Sequence, residues 1–165
     1  MKEHLHSGFT YRVEVVRDGQ VVDSEVVDNL MPTEGLNHIL NVLLKGAAQN
    51  ASWYIGLYEG AYTPDAASTA ATFPAAATEV TAYAETNRVL FQGSTVSGGQ
   101  SNNSAARAEF TLSANKTVTG GFIASAPGKG ATSGVLLSVV RFSSPKVVEA
   151  GSVLRVTAGV SLNSL

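Results

Sequence analysis

The side chains best placed by type to do chemistry in this sequence are carboxylates and histidines, because cysteine is absent. Glu14, Asp23, Glu25 and Asp28 fall close together across a hairpin read between residues 9 and 28. Two carboxylates held roughly 5–10 Å apart would suit glycoside hydrolysis. Charges on the wet face of a hairpin more commonly solvate it or guard a sheet edge against aggregation. Glu79, Glu85 and Arg88 form a second cluster that reads as structural ion pairing. His4 and His6 are spaced to share one side of an extended segment, but two imidazoles are too few for a tight metal site. His38 falls on or beside the polar face of a helix and reads as solvated.

Other catalytic patterns fail on spacing. There is no Gly-x-Ser-x-Gly elbow for a serine nucleophile. Pro127-Gly128-Lys129-Gly130 has part of a phosphate loop, yet position 123 is Ile where the upstream glycine belongs. Position 130 is Gly where a magnesium-binding hydroxyl belongs. That segment reads as a turn carrying an exposed lysine. Trp53, Tyr54 and Tyr58 could stack on a sugar, but their alternation in an apolar run favours packing. Three Asn-x-Ser/Thr matches, at Asn50, Asn102 and Asn115, carry no weight without a secretion signal. The expectation is a protein that is not an enzyme and has no cofactor or metal.

Composition points the same way. Charged residues make up 15% of the 165, with a net charge of −2, against about 25% in an average soluble domain. Nothing in that balance favours nucleic acid or an anionic membrane as a partner. No apolar run reaches the roughly 20 residues that span a bilayer, and the opening MKEHLHSGF lacks a signal-peptide core. Synthesis and folding in the host cytoplasm follow as the expectation.

The elements that must position these residues are mostly strands. Residues 1–8 read as a polar N-terminal arm. Phe9, Tyr11, Val13 and Val15 alternate with polar residues, and Asp18-Gly19 supplies a hairpin turn. Residues 21–28 return. A helix follows Pro32, with Thr33 as the source of an N-cap oxygen and Gly46 as the stop. Leu36, Ile39, Leu40, Leu43 and Leu44 form one apolar stripe expected to lie against a sheet. Residues 52–58 read as a largely buried strand. The Ala/Thr-rich segment 59–81 reads as a long surface loop with a helical turn near 65–68, and 93–104 as a flexible loop. Further strands fall at 88–92, 106–112, 117–125 (weakened or bulged at Gly120-Gly121) and 134–142. The last runs through Leu154, Val156, Ala158, Val160 and Leu162. The fold class is mainly β: an antiparallel β-sandwich, jelly-roll-like, with one short amphipathic helix, as a single domain over residues 9–165.

Four segments resemble a known group. Asn29-Leu-Met-Pro-Thr-Glu-Gly-Leu-Asn-His-Ile-Leu40, Trp53-Tyr-Ile-Gly-Leu-Tyr58, Ala82-Tyr-Ala-Glu-Thr-Asn-Arg88 and Ala150-Gly-Ser-Val-Leu-Arg-Val156 occur in an order that resembles small structural proteins of tailed bacteriophages. That resemblance implies a virion component, foremost a capsid decoration (cement) protein on the outer capsid surface. Such a protein would be a homo-oligomer bound across subunits of the major capsid protein. The alternative it implies is a tail or fibre component, or a receptor-binding module, with tail proteins as partners. The residues expected to reach a partner are His4, Leu5 and His6 in the arm, and Tyr62, Pro64, Phe73 and Pro74 in the long loop.

Overall fold

The computed structural model describes residues 6–163, with side chains from 8 to 162. Strand β1 (His6–Arg17) and β2 (Gln20–Asp28) form the expected hairpin. Asp18 and Gly19 both take positive φ, 50° and 76°, which is the two-residue turn that matches strand twist. Because β1 starts at His6, residues 6–8 belong to a strand paired with the C-terminal strand rather than to a free arm. His4 and Leu5 lie outside the described residues.

Helix α1 (Thr33–Lys45) follows, then β3 (Tyr54–Tyr58), α2 (Phe73–Ala77), β4 (Val89–Leu90), β5 (Gln100–Asn102) and β6 (Ala108–Thr111). The chain ends with β7 (Lys116–Ala124), β8 (Leu136–Val148) and β9 (Val153–Asn163). Pro32, not Thr33, is the N-cap of α1. Its extended backbone at φ −62° sets the entry angle, and no side chain caps the helix. Gly46 at φ 68° ends it as expected.

Two antiparallel sheets face each other, as the alternation predicts. One runs β2-β1-β9-β5, with β6 also on β9; the other runs β4-β3-β7-β8. Phe9, Tyr11, Val13, Val15, Phe110, Leu154 and Val156 of the first sheet meet Ile55, Leu57, Ile123 and Val140 of the second in one buried cluster. Asn103 bridges the gap between β5 and β6. Its buried side chain accepts the Ala158 N–H at 2.7 Å and donates to the Val156 carbonyl at 3.3 Å, so β9 keeps partners where neither strand pairs with it.

The segment 59–81 is not a loop reaching outward. It folds back as a third layer on the outer face of the second sheet. Ala70, Phe73 and Ala77, with half-buried Tyr62, cover Tyr58, Phe122, Ala124, Leu136 and Val139. The cause is visible in β8, where Leu136 to Val140 are all buried. A strand that is apolar on both faces needs a cover on each. A turn forms at Ala66-Ala67, inside the expected 65–68, and the helix of this segment is α2, which lies beyond it at Phe73–Ala77. Two glycines make room for the aromatic packing. Phe122 lies across Gly56, its register partner, and Tyr58 across Gly120. A Cβ on either glycine would fall inside the facing ring. The register of β7 shifts between Val118 and Gly120, so the expected bulge is there.

Candidate functional site

Polar side chains in this fold concentrate at joints between layers. The first joint is built from Asn29, Glu34 and Gly35. Asn29 Oδ1 accepts the Phe9 N–H at 2.8 Å, and its Nδ2 donates to Ser138 Oγ at 2.6 Å. The Tyr11 hydroxyl donates to the same oxygen at 2.7 Å, and burial pushes its ionisation well above the usual tyrosine range. In the first turn of α1, Glu34 Oε2 accepts the N–H groups of Ala70 at 2.8 Å and Leu136 at 2.6 Å. Gly35 is buried against the β8 backbone. These three residues tie β1, α1, the third layer and β8 together.

The second joint is a buried ion pair. Arg88 meets Glu79 in a two-bond fork, Nε to Oε1 at 2.8 Å and Nη2 to Oε2 at 2.7 Å. Both side chains are at most 3% exposed. The guanidinium also donates to the carbonyls of Ala126 and Ala131 and lies 5.0 Å from the Phe122 ring centre. Glu79 Oε2 accepts the Gly130 N–H as well. Every charge-bearing atom is therefore met, which is the condition for tolerating burial. Lys129, expected to be exposed, instead bends over the Tyr83 ring and donates to the carbonyls of Thr81 and Tyr83. Glu85 takes a different partner, the Thr111 N–H.

The hairpin carboxylates are likewise engaged. Asp23 and Glu25 both pair with Lys146, which is only 1% exposed. Glu14 lies between Arg107 and Arg155, and Asp28 accepts the Thr10 hydroxyl. His38 is not simply solvated: it sits edge-on to Trp53 and hydrogen-bonds Asn50. Among the described residues no three His, Asp or Glu side chains converge as a metal site, and no helix is long and apolar enough to cross a membrane. The void between Phe73, Arg88, Phe122 and Leu136 is apolar and too small for a water molecule. A shallow groove of about 170 Å³ crosses the outer face of the first sheet between Thr10, Gln100, Asn102 and Ser161.

Of the residues expected to reach a partner, Phe73 and Pro74 are buried inside the third layer, where Phe73 packs on Tyr58, Tyr62 and Phe122. Tyr62 and Pro64 are half-buried, with the Tyr62 hydroxyl 2.6 Å from Ser68 Oγ. His6 contributes backbone to β1. The exposed apolar surface lies elsewhere. On α1, Leu36, Leu40, Leu43 and Leu44 keep 40 to 72% of their surface in solvent. The helix turns Gly35 and Ile39 toward the body, so of the expected stripe Ile39 packs against the core while the four leucines face away. Amphipathicity shows that a helix has an apolar face, but not which neighbour that face meets.

The four segments that resemble phage structural proteins coincide with these anchors. They contain the Asn29–Gly35 joint, strand β3, the Arg88 end of the ion pair, and the turn into β9. The sequence model of one family, described as Podophage GP4 fiber I protein gp80, matches residues 32–162. No curated protein and no solved structure matches the chain. With most of its length matched, from the start of α1 to the end of β9, the chain belongs to the podophage GP4 fiber I protein gp80 family and is a phage structural protein.

Proposed function

We propose that the protein is a fibre or tail-associated component of a podophage virion that acts through binding surfaces and not through catalysis. The observation that carries this reading is the family match over residues 32–162, whose description names a fibre protein. It favours the tail or fibre alternative over the capsid decoration that the sequence resemblance put first. The architecture supports it. The fold is a sandwich whose second sheet is covered on both faces, its Glu79–Arg88 pair is committed to a joint between layers, and the void beside that pair is too small for water. Such a body suits transmitting load and presenting surface, since each buried polar network fixes one arrangement of the layers. Its partners in this reading are tail proteins and further copies of itself.

Copy number tests the proposal. Quantitative mass spectrometry of purified particles should give a small number of copies, set by tail symmetry and far below that of the major capsid protein. A stoichiometry comparable with the major capsid protein would return the decoration reading, whose multivalent mechanism needs many sites.

A further inference from the structure

Lys146 is a primary amine in a core position. On β8 it stands between Phe142 and Val148, which both face the core, and opposite the buried Val118 of β7. Asp23 and Glu25 hold inward positions on β2, paired with the buried Val15 and Val13 of β1. β2 ends the first sheet and β8 ends the second, so the three side chains meet in the gap between two sheets. Lys146 Nζ lies 3.2 and 3.1 Å from the two Asp23 oxygens, 3.1 Å from Glu25 Oε2 and 3.3 Å from Ser144 Oγ. With an Asp23 oxygen to either side, Nζ faces the carboxyl carbon at about the 3–3.5 Å separation of a near-attack pair. The two carboxylates are not equivalent. Glu25 is fixed, because its Oε1 accepts the Ser143 N–H at 2.8 Å. Among the described residues the Asp23 side chain meets Lys146 alone, and it can turn its face to the amine.

We propose that Lys146 and Asp23 condense into an intramolecular isopeptide bond that staples β8 to β2, with Glu25 as the proton relay. The Lys146 ammonium passes a proton to Glu25, and the lone pair of the neutral amine adds to Asp23 Cγ. Glu25 hands that proton to the departing Asp23 oxygen, then carries a second one from nitrogen to the same oxygen. The Nζ–Cγ bond has then formed, the Cγ–O bond has broken with its electron pair leaving on oxygen, and one water is released. An ammonium and a carboxylate become an amide, Glu25 ends as it began, and no co-reactant enters. Lys146 is 1% exposed and Glu25 14%, which keeps solvent from the amine, while Asp23, 47% exposed, gives the released water an exit. Lys116–Glu59 lacks these features: it pairs one lysine with one carboxylate, each about a quarter exposed. The reaction happens once per chain, so it is self-modification and not turnover. It rests on this side-chain geometry and not on where the protein sits in the particle. The product would join the free edges of the two sheets covalently, closing most of the chain into one loop, a constraint on the unfolded state of the kind a disulfide imposes.

Mass spectrometry of the purified full chain tests the proposal. The intact wild-type mass should fall short of that of the unlinked sequence by one water. A tryptic digest should contain a branched peptide that joins the segment holding Asp23 to the segment holding Lys146, a reading that needs no variant to fold. Lys146→Arg keeps the positive charge but removes the amine, and should keep the full mass, as should Asp23→Ala. Glu25→Gln should link about a hundredfold more slowly or less, the scale of a lost proton relay. Lys116→Arg should link like wild type. A wild-type chain of full mass overturns the proposal. So does a water loss that Lys146→Arg retains, or one that maps to a linear peptide, as a succinimide at Asp18-Gly19 would give. A branch at Glu25 in place of Asp23, or Glu25→Gln linking at the wild-type rate, overturns the assignment of roles.

Discussion

Gly35 and Leu137 approach so closely that a Cβ on Gly35 would come within 2.7 Å of the Leu137 carbonyl oxygen. This contact fixes the rotation of α1 and hence which of its faces reaches solvent. Gly35→Ala would gain helix propensity of about 1 kcal/mol, but it forces backbone apart where β8 cannot yield. We expect a net loss of about 1–3 kcal/mol, seen as a lower Tm by roughly 2–4 °C per kcal/mol. An unchanged or raised Tm would contradict the packing.

Glu34 joins the same helix to two backbone N–H groups in different layers. Glu34→Ala leaves both without an acceptor. Bonds to a charged group contribute about 1.5–3 kcal/mol each. Urea unfolding should show a loss of at least about 2 kcal/mol, with hydrogen exchange accelerated at Ala70 and Leu136. Exchange rates unchanged at both amides would remove Glu34 from this role.

The Glu79–Arg88 pair predicts strong non-additivity. Arg88→Met strands a buried carboxylate and should cost about 3–5 kcal/mol. Removing both charges, with Glu79→Leu added, should recover much of that loss, since no unpaired ion remains. A double-mutant cycle in chemical denaturation checks this; additive losses would mean that the two residues do not share one network.

Tyr11, Tyr58 and Tyr83 are buried, and burial raises the ionisation of each hydroxyl above the ordinary tyrosine value. The native state then holds protons that the unfolded chain releases from about pH 10 upward. Stability is therefore constant below that pH on this account and falls above it, by up to about 1.4 kcal/mol per pH unit for each tyrosine. Denaturation midpoints measured from pH 8 to 12 should turn down near pH 10, and Tyr11→Phe should flatten the slope.

Much of the sandwich was legible because its strands are half-buried. In β1 and β9 the inward set, Tyr11 and Val13 or Leu154, Val156 and Ala158, is separated by single polar residues, and both strands form where that period places them. The hairpin turn and the Gly120 bulge carry local chemistry of their own. The third layer has no such period. Its contacts are made by Phe73, Ala70 and Ala77 at irregular spacing, and its existence is announced only indirectly, by the run 136–140 in β8, apolar apart from Ser138, which needs a cover on its outer face. The orientation of α1 was hidden for a related reason. The leucine stripe is the stronger apolar signal, whereas the face that packs is chosen by a glycine and a carboxylate whose partners, Leu137 and Leu136, are about 100 residues away.

The most direct test of the account is a particle reconstruction into which this sandwich, with its third layer on β7 and β8, can be docked. Density matching it on the tail or its fibres is the predicted result. The same density distributed across the capsid lattice, with none on the tail, would contradict it.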